Sequence, residues 1–232
     1  MIKKSKFKLK YNETFSLVLN HGSNVLMFGI VAYSFYRFGF TLGNISALLA
    51  TLGVTFLSYG SNWSFPFNMA QNLIFFIVSW QSGIYGDSIM ALYYFGSQLF
   101  IGIPYFMKNR SASGKLKIDR TINWKYLITG ILLSFFVLGG ISMFLGGNYI
   151  FMDALNNSTA FVAQYTQMRG MSISNGLWLF TNATSLYVYI GMAEWGIVAQ
   201  TLAQAISTFR TAYNWHFMPS ANEDETTTLE YK

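Results

Sequence analysis

DALNNSTAFVAQYTQMRGMSISNGLWLFTN, residues 153–182, is a stretch in which an apolar background carries a strip of amides and hydroxyls. Asn156, Asn157, Ser158, Thr159, Gln164, Thr166 and Gln167 fall in a segment whose flanks mark it as membrane-embedded. Trp178 and Asn182 follow four residues apart, on one face of a helix. Lipid offers no hydrogen-bond partner, so these groups are expected to point at other helices or at a polar molecule passing between them. The rest of the chain reads as the wall around that strip.

Composition agrees. Hydrophobic residues make up 53% of the 232 and charged residues only 10%, against about 25% charged in soluble domains. That is too few to cover a water-facing surface, and the chain reads as an all-α integral membrane protein. There is no cysteine, which excludes disulfides and thiol chemistry. His21 and His216 with scattered carboxylates do not make a metal site, and no cofactor is expected. The net charge of +6 is not a nucleic-acid footprint, because the Lys and Arg residues flank apolar runs. Without a nucleophile–base pair or a glycine-rich phosphate loop, an enzyme is disfavoured.

Eight candidate spans run 15–36, 41–60, 64–82, 87–107, 125–146, 150–168, 173–192 and 194–216, most near the ~20 residues that cross a ~30 Å core. Five lysines precede the first span, and the loop 108–125 holds Lys108, Arg110, Lys115, Lys117, Arg120 and Lys125. Eight spans put both segments, the Arg169 turn and the C-terminus on one side, and the positive-inside rule makes that side cytoplasmic. Asp87, Asp153 and Glu194 each open a helix, where a carboxylate meets the positive end of the dipole. Arg210 is expected to snorkel from a cytoplasmic helix end. Trp63, Trp195 and Trp215 are expected in the interfacial belt, and the tail from Pro219 reads as disordered.

A weak self-match recurs at an offset of 110: Asn72 on Asn182, Tyr85-Gly86 on Trp195-Gly196, Tyr105 on Trp215. Each copy holds three spans, so one extra helix between them lets both run the same way. The expected fold is two parallel three-helix bundles in a three-plus-one-plus-three order, as in SWEET-like sugar facilitators, plus an additional N-terminal helix. The units are 1–40 (basic start and extra helix), 41–107 (first bundle), 108–149 (basic loop and linker helix), 150–216 (second bundle) and 217–232 (polar tail). The first copy has its own polar helix, with Asn68, Gln71, Asn72, Trp80 and Gln81, and its third helix offers Tyr94 and Gln98. Gln71 turns from the Asn68–Asn72 face and reads as a helix–helix bond.

WSFPFNMAQNLIFFIVSWQSGIYGD (63–87) resembles the first repeat of the PnuC-type nicotinamide riboside transporters, and DALNNSTAFVAQYTQMRG (153–170) with NGLWLFTN (175–182) resembles the second. The resemblance covers about 41–216. The family often has a second tryptophan three residues before Trp178, where this chain has Asn175. The resemblance implies a homotrimeric facilitator in the bacterial inner membrane, whose cargo is trapped by cytoplasmic phosphorylation. Nicotinamide riboside offers a flat cationic ring, a carboxamide and three hydroxyls. Trp178, Trp80 and Tyr94 suit the ring, through stacking and cation–π attraction of roughly 0.5–2 kcal/mol. Asn68, Asn72, Gln98, Gln164 and Asn182 suit the polar groups, since an amide both donates and accepts. The competing reading of each amide is helix–helix glue. The acids sit at helix starts rather than mid-span, so uncoupled diffusion is expected. The alternatives are a related carrier for thiamine or riboflavin, and a non-transporting scaffold.

Overall fold

The computed structural model describes residues 13–110 and 116–217. The expectations for the first five lysines, for Lys115 and for the tail from Pro219 lie outside these residues. Among the described residues eight helices form: α1 Glu13–Phe38, α2 Leu42–Ser58, α3 Ser64–Gln81, α4 Tyr85–Lys108, α5 Trp124–Phe144, α6 Ile150–Met168, α7 Ser174–Gly191 and α8 Trp195–Phe217. Local chemistry sets their ends. Thr41 caps α2 by accepting from the Asn44 N–H at 3.2 Å, and Asn123 does the same for α5 at Tyr126. Pro104 brings no N–H to α4, and the ladder widens to a π turn at Gln98–Gly102 just before it.

Left-handed residues end two pairs of helices at matching places. Gly60 (φ 65°) and Gly170 (φ 62°) close α2 and α6; Gly83 (φ 71°) and Ala193 (φ 56°) close α3 and α7. Each pair is separated by 110 residues.

Six helices close into a ring. α2 packs on α3, α3 on α4, α4 on α6, α6 on α7, α7 on α8, and α8 back on α2. α5 leans against α6, and α1 lies over α8 and α2. Between α2 and α8 the approach is backbone to backbone: a Cβ on Gly196 would stand 2.6 Å from the Gly43 carbonyl carbon. At the matching junction, the Asp153 carboxylate of α6 accepts from the Gly86 N–H of α4 at 3.1 Å. The basic loop folds under one end of the ring, where Asp119 N–H bonds Gly170 O at 2.9 Å and Arg110 Nη2 bonds Gly60 O at 2.7 Å.

The polarity is inverted relative to a soluble protein. Phe100, Phe136 and Phe144 face outward, while Asn44, Gln71, Asn72, Asn157, Gln164 and Asn182 are buried. α1, α4 and α5 are long and apolar enough on composition alone to cross a membrane. α6 and α7 miss that threshold because their inward faces carry the amides and hydroxyls.

Two expectations are corrected here. Arg210 does not snorkel: it is 0% exposed. It donates to Ser23 Oγ at 3.2 Å and to Asn24 Oδ1, both on α1, and lies over the Tyr59 ring at 5.6 Å. α1 covers it and supplies the polar partners that the headgroups would have offered. Trp215 is not a belt residue; it is buried against Leu57, Phe65, Phe106 and Met168. Trp63 and Trp195 are exposed.

Candidate functional site

The inward faces of α2, α3, α4, α6, α7 and α8 enclose a cavity with about 840 Å³ of space free of protein atoms, its open mouth included. Helical spacing puts the lining there. Asn68, Gln71, Asn72 and Phe75 share one face of α3; Trp178, Thr181, Asn182 and Ser185 share the matching face of α7. Each residue of the first set precedes its counterpart in the second by 110 positions. Tyr94 and Gln98 on α4 likewise match Gln204 and Thr208 on α8, and all four line the space. α6 contributes Asn156, Gln164 and Gln167. Ten of the lining side chains are carboxamides, and Asp87 is the one carboxylate among the described lining residues; none there is Lys, Arg or His.

Of the eight residues singled out from the sequence, Asn68, Asn72, Tyr94, Gln98, Gln164, Trp178 and Asn182 line this cavity. Trp80 does not. It is 48% exposed and packs on the outer surface against Phe76 and Tyr85. Eight residues beyond Asn72, the helix has turned about 80° from the inward face.

The indole of Trp178 is fixed by two contacts. Its Nε1–H donates to Gln167 Oε1 at 3.1 Å, and its ring lies 5.7 Å from that of Tyr94 at 60°. Gln164 Nε2 donates to Ser97 Oγ at 2.9 Å, and Asn182 Nδ2 to Thr208 Oγ1 at 3.4 Å. Gln71 reaches Ser46 at 3.4 Å, and Ser46 donates to Gln200 Oε1 at 2.7 Å, so Gln71 both ties helices and faces the cavity. Asn68 fits because Gly53 has no Cβ; one there would overlap the Asn68 carboxamide. Asn72 Nδ2 and Gln98 Oε1 are buried without a partner among the described residues. A buried donor and a buried acceptor left unmade each cost about 1–3 kcal/mol, so a partner from outside the chain would be favoured.

At one end the cavity meets a polar knot. Tyr189 OH donates to Asp87 Oδ2 at 2.5 Å, and Asn156 Nδ2 approaches Asp87 Oδ1 at 3.4 Å. Asn156 Oδ1 accepts from Thr184 at 2.8 Å and Ser185 at 3.1 Å. Around the knot pack Val78, Ile84, Val188, Ile197 and Val198. At the other end Leu57 and Met168, members of the Phe65–Phe106–Trp215 cluster, border the cavity. Asp87, Tyr189, Gln200, Gln204 and Thr208 were not singled out from the sequence. A signal existed for the last three, which stand four apart along α8; Asp87 was absorbed by its position at a helix start.

Residues 41–217 match a family model described as nicotinamide mononucleotide transporter. A solved structure titled "Crystal structure of the Vitamin B3 transporter PnuC" is similar, with a TM-score of 0.72 and 17% identity over 88% of this chain and 91% of that one. No curated protein matches the chain. The family match spans the whole six-helix ring and every residue of the cavity lining, and by that match the chain belongs to the nicotinamide mononucleotide transporter family, a family of membrane carriers.

Proposed function

We propose that the protein carries nicotinamide riboside into the cytoplasm by facilitated diffusion, with Asn68, Asn72, Tyr94, Gln98, Gln164, Trp178 and Asn182 as the cargo-contacting residues. The observation that carries this reading is the pair of unpartnered amide atoms, Asn72 Nδ2 and Gln98 Oε1, in a carboxamide-lined cavity beside the Trp178–Tyr94 rings. A flat ring with a carboxamide and a hydroxylated sugar matches such a lining in stacking area and in hydrogen-bond capacity. The phosphorylated nucleotide fits less well. A phosphate favours Arg, Lys or a helix N-terminus, and the described lining holds neither Arg nor Lys. Phosphorylation inside the cell would then trap the cargo, as a product the cavity no longer accepts.

The same proposal takes the ring as two parallel three-helix bundles, 41–107 and 150–216, joined through the linker helix in 108–149 and preceded by an extra helix in 1–40. Its support is the left-handed turns and the two helix junctions, Gly43–Gly196 and Asp153–Gly86, that stand at places related by an offset of 110. Both termini are cytoplasmic in this reading, in a bacterial inner membrane, and the working assembly is a homotrimer.

Calorimetric titration of the purified protein with nicotinamide riboside, nicotinamide mononucleotide, thiamine and riboflavin tests the cargo. Binding of the first alone is expected; preference for another of the four would overturn the assignment. Uptake into proteoliposomes is expected without an imposed proton or sodium gradient, and strict dependence on either would overturn the uncoupled mechanism.

A further inference from the structure

Asp87 is 5% exposed and sits in the first turn of α4, with its carboxylate on the cavity. Its neighbours supply hydrogen bonds, from Tyr189 and Asn156, but no positive charge: no salt bridge forms to it among the described residues, and the lining has no Lys, Arg or His. Asp153, the other buried acid at this level, is absent from the lining; its oxygens accept from Gly86 N–H, Ser142 and Asn157. A carboxylate taken out of water is costly unless a positive charge meets it. The helix N-terminus offsets part of that cost for Asp87. The remaining positive charge can come from whatever enters the cavity.

We infer that Asp87 is the charge-selecting residue of the site: the cation it lacks is the cargo's own ring, and its carboxylate makes the cavity prefer a cationic nucleoside over a neutral one of the same shape. The inference rests on the reading of the cavity as a nicotinamide riboside site. Asp87 lies seven residues before Tyr94 on α4, about two turns or 10 Å along the helix. It therefore acts as a countercharge at the end of the cavity opposite the Tyr94–Trp178 rings, and direct contact is not needed. At an effective dielectric constant of about 20, an attraction across that distance changes binding roughly tenfold.

The test compares nicotinamide riboside with its reduced form, whose dihydropyridine ring is neutral and nearly isosteric, by calorimetry on the wild-type protein and on Asp87→Asn. The wild type is expected to bind the cation roughly tenfold more tightly than the neutral form, and Asp87→Asn to bring the ratio near one. Asp87→Glu, which keeps the charge, is expected to retain the preference, and the wild-type comparison alone needs no variant to fold. Equal wild-type affinities would overturn charge selection while leaving the cargo assignment intact. A preference that survives in Asp87→Asn would also overturn it. Failure of both forms to bind the wild type would bring down the cargo assignment, and this inference with it.

Discussion

Ser79 and Tyr189 meet oxygen to oxygen at 3.5 Å, although 110 residues separate them. They occupy matching places near the C-terminal ends of α3 and α7. The same Tyr189 hydroxyl donates to Asp87, so one phenol ties α7 to both α3 and α4. Val78 and Val188, also matching, pack in the same layer with Ile197. Beyond this layer, at the helix ends, lies a second hollow bordered by Phe38, Val78, Ser82, Glu194 and Trp195. The layer separates that hollow from the carboxamide cavity.

Removing the phenol should loosen this layer. Tyr189→Phe leaves Asp87 without its shortest donor, and a stability loss of about 1–3 kcal/mol is expected from thermal denaturation in detergent. The native chain has no cysteine, so Val78→Cys provides a single reporter. Maleimide labelling at that site should be faster in the Tyr189→Phe background, and an unchanged rate would mean that the hydroxyl does not hold the layer shut.

The two tryptophans nominated together should separate. Trp178→Ala is expected to weaken nicotinamide riboside binding by about 1–3 kcal/mol, the cost of losing one stacking platform. Trp80→Ala, on the outer surface, should leave affinity within twofold. Calorimetry on both variants checks this, and equal effects would contradict the geometry.

Buried amides that await a ligand should behave unlike amides that join helices. Asn72 Nδ2 has no partner among the described residues, so Asn72→Leu should weaken cargo binding without lowering the melting temperature. Gln164 Nε2 holds Ser97 at 2.9 Å, so Gln164→Leu should lower stability by about 1 kcal/mol as well. Parallel melting and binding measurements distinguish the two.

The matching turns at Gly83 and Ala193 should respond with opposite signs. Both residues are left-handed, a region that costs an L side chain about 1–2 kcal/mol. Gly83→Ala should therefore destabilise by about 1 kcal/mol or more, since its Cβ would also crowd Asn148. Ala193→Gly should be neutral to stabilising by up to about 1 kcal/mol, after the added unfolded-state entropy of glycine is subtracted. Melting curves of the two variants decide.

The helices were legible in the sequence because apolar runs of membrane length are punctuated by Gly and Pro. The inward strip was legible too, because Asn68, Asn72, Gln164 and Asn182 are costly anywhere that lipid is the only neighbour, and Trp178 shares the Asn182 face. What the residues could not reveal was which elements lie side by side. Arg210 looked like a headgroup anchor because nothing in the chain announces that α1 lies over α8 and offers Ser23 and Asn24. Asp87 looked like an ordinary helix-start carboxylate, and its position is indeed the first turn of α4. Only the packing of α6 and α7 around it turns that position into a cavity wall. Trp80 departs from the inward set for a simpler reason: its spacing from Asn72 rotates it outward.

The two junctions that close the ring sit at matching places but differ in material. At Gly43 and Gly196 main chain rests on main chain, and parting the helices there means hauling backbone through a tightly filled gap. At Gly86 the Asp153 carboxylate fills the space, and parting there means exchanging side-chain hydrogen bonds, Gln164–Ser97 and Asn156–Asp87 among them. One flank of the carrier is thus closed by interlocked main chain and the other by exchangeable side-chain bonds, which is the flank a substitution can loosen.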